Sequence, residues 1–450
     1  MTASIDQAAP MNPAARPVRA ATTEATGWPL IPMAFVVSLL IPVYVLIGSL
    51  NLSMSRLFLL LVFPLTVYGL VSKDLNRGRI LDLALLGHVL WVMLALAVNH
   101  GFSSTYEGSA IYILECFGAY LVGRVFIRSA KQFRLFVTFV VVIVVLLSPF
   151  FLMESLTGQR PLREFFSMFG NVPSATYDVR AGLVRAWGVF NHSILLGVFC
   201  ASLLSLAIYV VNARSGFLKT AVTGTFVVLA GFTSLSSATV LILVIQLFLS
   251  GFDIVTRTFK KRWMLITSIF ATMYVALTFL SNRGPFGLLV SYASFNTSSA
   301  YNRIRIWQYG TAEVYRHPIF GIGLNDWQRP EWMVASVDNF WLYIAMRYGL
   351  PGFLLIAACF VGLTVMVVRR SFVQRDLSMY RRGWVFCMLA IIIAGGTVHF
   401  FGTALPQVML LLGAGAWMID VDDRRKRPDP KPIQQQDRPA PVRGRPIPLG

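Results

Sequence analysis

The chain has 450 residues, of which 56% are hydrophobic and only 13% are charged, about half the charged fraction of a soluble domain. Apolar runs of roughly 20 residues recur along the whole length, and each is long enough to cross a bilayer as a helix. These runs are too long for barrel strands, so the composition excludes a soluble protein and predicts an all-α polytopic membrane protein. Membrane topology, rather than nucleic-acid binding, explains the net charge of +19.

The two ends of the chain differ in composition from the region between them. Residues 1–28 are rich in Ala, Pro and Thr, which predicts a disordered cytoplasmic segment rather than a cleaved signal peptide, because the first apolar run is a full span. Residues 420–450 are basic and proline-rich, so we expect a disordered cytoplasmic tail near anionic headgroups. The membrane domain is predicted over residues 29–419, with twelve spans at 29–50, 56–72, 80–98, 108–127, 133–153, 189–211, 217–233, 237–256, 263–281, 338–368, 383–401 and 404–419.

Lysine and arginine are concentrated in alternate short loops, which predicts that both termini are cytoplasmic. The short loops 99–107 and 234–236 carry none, whereas the loops that alternate with them carry Lys73, Arg77, Arg79, Arg128, Lys131, Arg134, Arg214, Lys219, Arg257, Lys260, Lys261, Arg262, Arg369, Arg370, Arg375, Arg381 and Arg382. Two long outer loops, 154–188 and 282–337, contain arginines of their own. Arginine suits two-donor contacts to phosphate or carboxylate, so these loops predict an anion site.

Residues 302–316 are predicted to form a helix that ends before Pro318. Arg303 and Arg305 lie about 200° apart around its axis, so they cannot face the same ligand. Arg303 shares a face with Trp307, and one face of this helix can meet the membrane while the other meets water. The alternative interpretation is an amphipathic helix at the membrane interface with snorkelling arginines.

A polar pair opens the tenth predicted span. Asp338 and Asn339 both suit a helix N-cap, but Asp338 at the mouth of a cavity can also act as a general base toward a sugar hydroxyl. Arg347 lies inside the same span, where a charge requires a structural or substrate partner. Gly349-Leu350-Pro351-Gly352 predicts a break in this helix. Upstream, we interpret Gly321-Ile322-Gly323 as a turn rather than a phosphate loop.

Histidines provide alternative bases, and two further polar residues lie within spans. His192, which follows Arg185 in an outer cluster, and His399 are the rival candidates, although a histidine at an interface more often has a structural role. His88 is a candidate for a proton path. Glu115 is interpreted as the acidic member of an ion pair that orients an arginine.

No pattern indicates a metal, a nucleotide or another cofactor. There is no Walker or dinucleotide motif, so any energy must come from the substrate or from a gradient. All four cysteines fall inside predicted spans without a CxxC pair: Cys116, Cys200, Cys359 and Cys387. Three carboxylates at the end of the last span are interpreted as solvated charges rather than a metal site: Asp420, Asp422 and Asp423.

The outer motifs, taken together, resemble those of a known family. In order and spacing they resemble the signature of the O-antigen ligase/polymerase superfamily, over roughly residues 180–355. The matching elements are Arg185-x-x-Gly188-x-Phe190-Asn191, Arg303-x-x-x-Trp307, His317-Pro318-x-x-Gly321-x-Gly323, Asn339-x-x-Leu342 and Tyr348-Gly349-Leu350-x-Gly352.

The resemblance implies a metal-independent, inverting glycosyltransferase of the bacterial inner membrane that uses a polyprenyl-diphosphate-linked glycan donor. It implies that Arg303 and Arg185 hold the diphosphate and that Asp338 activates the acceptor hydroxyl. The implied partners are this donor, a glycan acceptor, membrane lipid and a chain-length regulator protein, with neither a cofactor nor nucleic acid. We assign supporting roles to Asn339, His192, Arg347 and Trp307.

Two positions depart from the family pattern. The family often has His-Asn where this chain has Asp338-Asn339, and it often has Ser-Arg where this chain reads Ser234-Leu235-Ser236. One phosphate contact is therefore missing, and its expected replacement is Arg305, Arg283 or Arg180.

Three functions are compatible with these features. The preferred one is a polymerase that joins lipid-linked repeats into O-antigen or exopolysaccharide at the periplasmic face. The second is an O-antigen ligase that transfers lipid-linked glycan to lipid A-core. The third is a transporter or flippase of lipid-linked glycan, which is disfavoured because the two halves of the chain show no repeat and the polar residues gather at the outer surface.

Overall fold

The computed structural model describes residues 27–48, 50–72, 75, 77–259, 261–280 and 297–421. Helix makes up 72% of the structure, and nine of the described helices are long and apolar enough to cross a membrane. The prediction of an all-α polytopic membrane protein is confirmed at this level. Predictions for the N-terminal segment, for most of the C-terminal tail, for residues 281–296 with Arg283, and for Asp422 and Asp423 lie outside the described residues.

The described chain is a helix bundle with two small hairpins. Its helices are α1 (Leu30–Leu39), α2 (Met54–Ser72), α3 (Arg79–His100), α4 (Phe102–Ile113), α5 (Ala119–Phe126), α6 (Ala130–Thr157), α7 (Pro161–Ser167), α8 (Ser193–Ala201), α9 (Leu204–Leu206), α10 (Phe217–Phe232), α11 (Ser237–Val255), α12 (Arg262–Leu280), α13 (Thr297–Arg316), α14 (Phe340–Val368), α15 (Arg375–Ala394), α16 (Ala404–Gly415) and α17 (Trp417–Asp420). The π-helical segment Leu114–Gly118 joins α4 to α5, and Ala207–Val211 extends α9. The antiparallel hairpins pair β1 (Tyr44–Ile47) with β2 (Leu50–Ser53) and β3 (Val179–Arg180) with β4 (Leu183–Val184).

The prediction that the first span is a continuous helix over residues 29–50 is wrong. Helix α1 ends at Leu39, and the chain continues in an extended form into the β1–β2 hairpin. Pro42 has no amide hydrogen and disfavours helix at the residue before it, while Gly48 turns the hairpin at φ +62°. The amide of Tyr44 donates to the carbonyl of Asn171 at 3.1 Å, so this hairpin lies against the first long loop.

The other predicted spans coincide with helical segments, although one is displaced. Helix α15 begins at Arg375 and ends at Ala394, whereas residues 383–401 were expected. The first two turns carry charged side chains that resemble a loop in sequence, yet they continue the helix, and Gly395-Gly396 follows its end. Three apolar helical segments are shorter than a full span: Leu30–Leu39, Phe217–Phe232 and Ala404–Asp420.

The expected break in the tenth span is present at Gly349, where φ is 75° and ψ is 175°. Such a conformation is open only to glycine. A Cβ at this position would overlap the carbonyl oxygen of Ile319. The amide of Leu350 donates to the carbonyl of Pro318 at 2.7 Å. The break in α14 therefore receives the loop that follows α13.

Helices α5 and α16 pack backbone to backbone at the end of the bundle that holds the C-terminal segment. A Cβ on Gly123 would lie 2.5 Å from the carbonyl oxygen of Leu410, so the small residue permits the close approach. Beside this contact, Arg124 pairs with Asp82 at 3.2 Å and with Asp420 at 2.6 Å. The interpretation of Asp420 as a merely solvated charge is therefore wrong, because it neutralises a buried guanidinium.

Candidate functional site

Asp338 is the carboxylate at the centre of the site. It lies one residue before the N-cap of α14, and the cap is Asn339, whose Oδ1 accepts from the amide of Leu342 at 3.0 Å. The capping role is thus taken by Asn339, and the Asp338 side chain makes no hydrogen bond within the described residues. Burial raises the pKa of Asp338, and the nearby Arg303 partly opposes that rise.

Arg303 reaches this carboxylate from α13. The helix lies closely against the first turns of α14, because a Cβ on Gly310 would be 2.7 Å from Leu342 Cδ2 and 2.8 Å from Met346 Sδ. Burial lowers the pKa of the Arg303 guanidinium, and Asp338 opposes the shift. An arginine remains protonated under these conditions, so a positive charge lies near the Asp338 carboxyl group.

A second arginine cluster comes from the first long loop. Arg185 is buried, and its Nη1 donates to Asp178 Oδ2 at 2.7 Å while its Nε donates to the carbonyl of Ser234 at 3.2 Å. Arg180 donates from Nη1 to the carbonyl of Leu235 at 2.9 Å. Arg180, in β3, and Arg185, just after β4, are thereby hydrogen-bonded to the turn that precedes α11.

The two clusters belong to one site. The positive charge of Arg180 further lowers the pKa of Arg303, so these guanidinium groups act on each other through space. Burial and the neighbouring Arg185 in turn lower the pKa of Arg180. The charges of Arg180 and Asp338, which belong to segments far apart in sequence, therefore both act on Arg303. Guanidinium groups placed in this way are chemically suited to an anion such as phosphate.

His192 closes the site beside Arg185 but is engaged in the fold. Its Nδ1 accepts from the amide of Ile194 at 3.1 Å, which makes His192 the N-cap of α8. Its ring lies 5.5 Å from that of Trp187, between centroids. Burial, and then the positive charge of Arg185, lower the pKa of His192. The structural interpretation of this histidine is supported, and only Nε2 remains for a ligand.

His399 lies on the other side of the site, in the loop between α15 and α16. Its ring centroid is 4.0 Å from that of Tyr343 and 6.2 Å from that of Phe401. Burial, assisted by the charge of Arg347, lowers the pKa of His399 to about 4. Its Nδ1 is buried without a hydrogen-bond partner in the described part of the chain. A neutral imidazole is therefore available here, although it is a weak base.

Arg347 has a structural partner. Its Nη1 donates to the carbonyls of Gly323 at 2.8 Å and Asn325 at 2.6 Å, and its guanidinium lies over the ring of Tyr343 at 5.4 Å. Gly321 and Gly323 both have positive φ, at 64° and 59°. The glycine motif is thus a turn that docks on α14, as expected from its length.

Arg305 and Trp307 lie on the exposed part of α13. The Arg305 guanidinium stacks over the ring of Trp332 at 4.5 Å. Trp307 is 43% exposed. Arg303, but not Arg305, therefore lies near Asp338. Arg180 lies beside the turn at Leu235.

Glu154 is a functional scaffold residue that sequence reasoning missed. It is buried at the end of α6 and accepts from the amides of Trp187 at 3.0 Å and Gly188 at 2.8 Å. It also pairs with Arg160 Nε at 3.1 Å. Arg163 donates to the carbonyl of Phe190 at 2.6 Å. A carboxylate at a span end, next to an arginine-rich loop, was the signal that could have identified it.

The two candidate polar residues within spans are satisfied by protein partners. The Nδ1 of His88 is 2.8 Å from the carbonyl oxygen of Gly352, and its Nε2 is 2.9 Å from Tyr112 Oη. Glu115 pairs with Arg56 at 2.7 Å, which confirms the expected ion pair. Neither residue contributes to the site at Asp338.

The fold and site together define a multi-pass helical membrane protein with a group of arginines near a carboxylate. No group of three or more His, Cys, Asp or Glu side chains in the described ranges is arranged to hold a metal ion. No protein-family model matches the sequence, and no curated protein matches it.

Proposed function

We propose that this protein is a membrane glycosyltransferase that joins polyprenyl-diphosphate-linked oligosaccharide repeats into O-antigen or exopolysaccharide. The observation that carries the proposal is that the charge of Arg303 acts on Asp338 and the charge of Arg180 acts on Arg303, from three separate elements of a mostly helical membrane protein. A base beside a cluster of guanidinium groups suits attack by a hydroxyl and departure of a diphosphate.

The proposed reaction is an inverting displacement. An acceptor hydroxyl attacks the anomeric carbon of the donor sugar, and Asp338 takes the hydroxyl proton as the new C–O bond forms. The bond between that carbon and the diphosphate oxygen breaks, and the oxygen leaves with the electron pair. Arg303, Arg185 and Arg180 neutralise the developing charge, and bidentate guanidinium contacts are well suited to it. Burial raises the pKa of Asp338, which makes its carboxylate a stronger base than an exposed aspartate, and the charge of Arg303 opposes that rise.

The contact of Arg180 with Leu235 supports the proposal when it is compared with the family pattern. The family often has an arginine near the start of the eighth span, where this chain has Leu235. The Arg180 guanidinium is bonded to the carbonyl of Leu235 itself at 2.9 Å. An arginine from β3 thus takes up the position that the family fills from the neighbouring turn. We propose that Arg180, rather than Arg305, provides the missing diphosphate contact.

The proposed topology has twelve crossings with both termini cytoplasmic, in the bacterial inner membrane. The short α1 is compatible with a crossing because the chain continues in extended form. Gln132 Nε2, near the start of α6, donates to the carbonyl of Gly27, and at the far end Tyr44 pairs with Asn171 of the first long loop. Ten helical residues span about 15 Å of a hydrocarbon core about 30 Å thick, and the residues that lead into the strand at Tyr44 continue the same path.

A ligase of the same class would use the same residues, because only the acceptor differs. A transporter is less well supported, since the polar groups within spans, such as His88 and Glu115, are occupied by Gly352, Tyr112 and Arg56. A transport route needs polar groups that remain available to a substrate or coupling ion.

The test is the length distribution of surface and lipid-linked glycan in cells that lack the protein, complemented with wild type or Asp338→Asn. Single repeats without longer chains in the mutant cells support a polymerase. Long chains that remain on the polyprenyl lipid would support the ligase. Glycan of unchanged length and location would contradict the proposed transfer reaction.

A further inference from the structure

A second basic cavity lies far from Asp338 and takes no part in the proposed transfer. It has a volume of about 470 Å³, within the range of ligand pockets of about 300–1,000 Å³. A neighbouring cavity of about 380 Å³ shares Arg375 with it. The polar lining of the larger cavity comprises Tyr209, Asp253, Arg257, Arg375, Ser378 and Arg382.

The cavity lies at the opposite end of the bundle from the proposed active site. Helix α15 begins at Arg375 in the cavity, and just after its end the carbonyl of Gly395 accepts from the amide of Phe340 at 2.7 Å. Twenty helical residues separate the two places by about 30 Å. Helix α11 makes the same crossing, from the turn at Leu235 to Asp253. The cavity therefore faces the other side of the membrane from Asp338.

The cavity has an excess of positive charge. Its one carboxylate, Asp253, is buried and already paired with Arg262 at 2.7 Å and Arg382 at 3.3 Å. Arg257 and Arg375 are exposed, and neither forms an ion pair or side-chain hydrogen bond with a described residue. Two guanidinium groups are thus presented to a ligand without a counter-ion among the residues that the structure describes, which favours a phosphate group.

Part of the cavity lining is apolar and exposed. Ile254 and Val373 belong to it and are 58% and 60% exposed, and Phe372 and Met379 contribute further apolar surface. A soluble anion would leave these apolar side chains in water, whereas a phospholipid would cover them with acyl chains while its phosphate reaches the arginines. We propose that this cavity binds the headgroup of an anionic phospholipid in the leaflet opposite the glycan site.

The proposal is tested by native mass spectrometry of the full-length protein in detergent, titrated with phosphatidylglycerol or with zwitterionic phosphatidylethanolamine. The wild type is expected to prefer phosphatidylglycerol. The double variant Arg257→Gln/Arg375→Gln is expected to bind it about thirtyfold more weakly, from the known contribution of two basic residues near a membrane surface. Arg257→Lys/Arg375→Lys keeps the charge and is expected to stay within a few-fold of wild type.

The matched control is Arg79→Gln. Arg79 is also an exposed arginine that begins a membrane helix, at the same end of the bundle, and it lies outside the cavity. It is expected to leave binding unchanged. Equal binding by wild type and the double glutamine variant would overturn the proposal, as would an equal loss in Arg79→Gln. Displacement of the lipid by inorganic phosphate at comparable concentration would also overturn it, because the site would then be one for a soluble anion. These readouts need no glycan, so they are independent of the proposed transferase activity.

Discussion

Asn339 Oδ1 accepts a hydrogen bond from the amide of Leu342 at 3.0 Å, and this contact defines the role of the residue before it. Because Asn339 caps α14, Asp338 is not needed for the helix to begin. Its carboxylate instead lies near Arg303, where burial raises its pKa. A residue that contributes no cap and is nevertheless half-buried near a guanidinium is a candidate for chemistry rather than stability.

Asp338→Asn is expected to abolish glycan transfer without harming the fold. Asparagine keeps the shape of the side chain but cannot take a proton, so the rate should fall by about 10²–10⁴-fold. The measurement is transfer by the purified protein from a polyprenyl-diphosphate-linked donor, with thermal unfolding as the control for folding. Asn339→Asp, which preserves a capping oxygen, is the matched variant and should retain most of the activity. If Asp338→Asn transferred glycan at a near-normal rate, Asp338 would not be the base, and His192 or His399 would be the candidates.

The pH dependence of transfer should report the Asp338 carboxylate. Only the ionised form accepts a proton, so activity falls as pH is lowered through its pKa, and burial makes that fall begin at a higher pH than for an exposed aspartate. The positive charge of Arg303 holds the pKa down. In Arg303→Gln the acidic limb of kcat/KM should therefore move to higher pH. A limb that stays in place in Arg303→Gln would show that another group titrates.

Arg303→Lys is expected to be nearly as harmful as Arg303→Ala. One ammonium cannot reproduce the planar pair of donors that grips a diphosphate. The expected loss for either variant is about 10- to 150-fold in kcat/KM, the equivalent of a charge-assisted hydrogen bond of about 1.5–3 kcal/mol. Arg305→Lys is the matched control, because Arg305 stacks on Trp332 away from the site. Near-normal activity of Arg303→Lys would contradict a two-donor contact with the diphosphate. Equal losses in Arg303→Lys and Arg305→Lys would also contradict it, because Arg303 would then act only as a general positive charge.

Sequence patterns predicted the elements of this protein better than their contacts. A run of about twenty apolar residues is sufficient to predict α2 or α3, and Gly349 beside Pro351 is sufficient to predict a break. The end of α1 at Leu39 was missed because the residues after it remain apolar whether they are helical or extended. Hydropathy reports burial, and it does not distinguish these two conformations in a short run.

The site was predicted only in part, for a different physical reason. Arg303 and Asp338 stood out as polar residues next to spans, and the charge of Arg303 does act on the Asp338 carboxyl group. The contact of Arg180 with Leu235 joins residues 55 positions apart, and no periodicity encodes such a contact between loops. Glu154 was missed on the same ground, since its partners at Trp187 and Gly188 are backbone amides, which every residue except proline possesses.

Glu154 is expected to be important for stability. Glu154→Ala removes the counter-ion of Arg160 and the acceptor of two buried amides, and should cost about 3–5 kcal/mol in the free energy of unfolding. Glu154→Gln retains one acceptor oxygen and should cost about 1–3 kcal/mol. The control is Glu164→Gln, an exposed position, with an effect within about 0.5 kcal/mol. Thermal unfolding in detergent measures all three, and a cost for Glu154→Ala no larger than that for Glu164→Gln would contradict the scaffold role.

Gly349→Ala should disrupt the contact between α14 and the loop after α13. The backbone at this position has φ 75° and ψ 175°, a conformation that costs about 1–3 kcal/mol for a residue with a side chain. The added methyl group would also overlap the carbonyl of Ile319. The matched control is Gly87→Ala in α3, where the nearest atoms, on Leu355, lie 3.8 Å away and the helix favours alanine. Gly349→Ala should therefore lower both the unfolding temperature and glycan transfer, because the break positions the first turns of α14 beside Asp338, while Gly87→Ala should lower neither. Equal behaviour of the two variants would show that the break at Gly349 is not required for the fold or for the site.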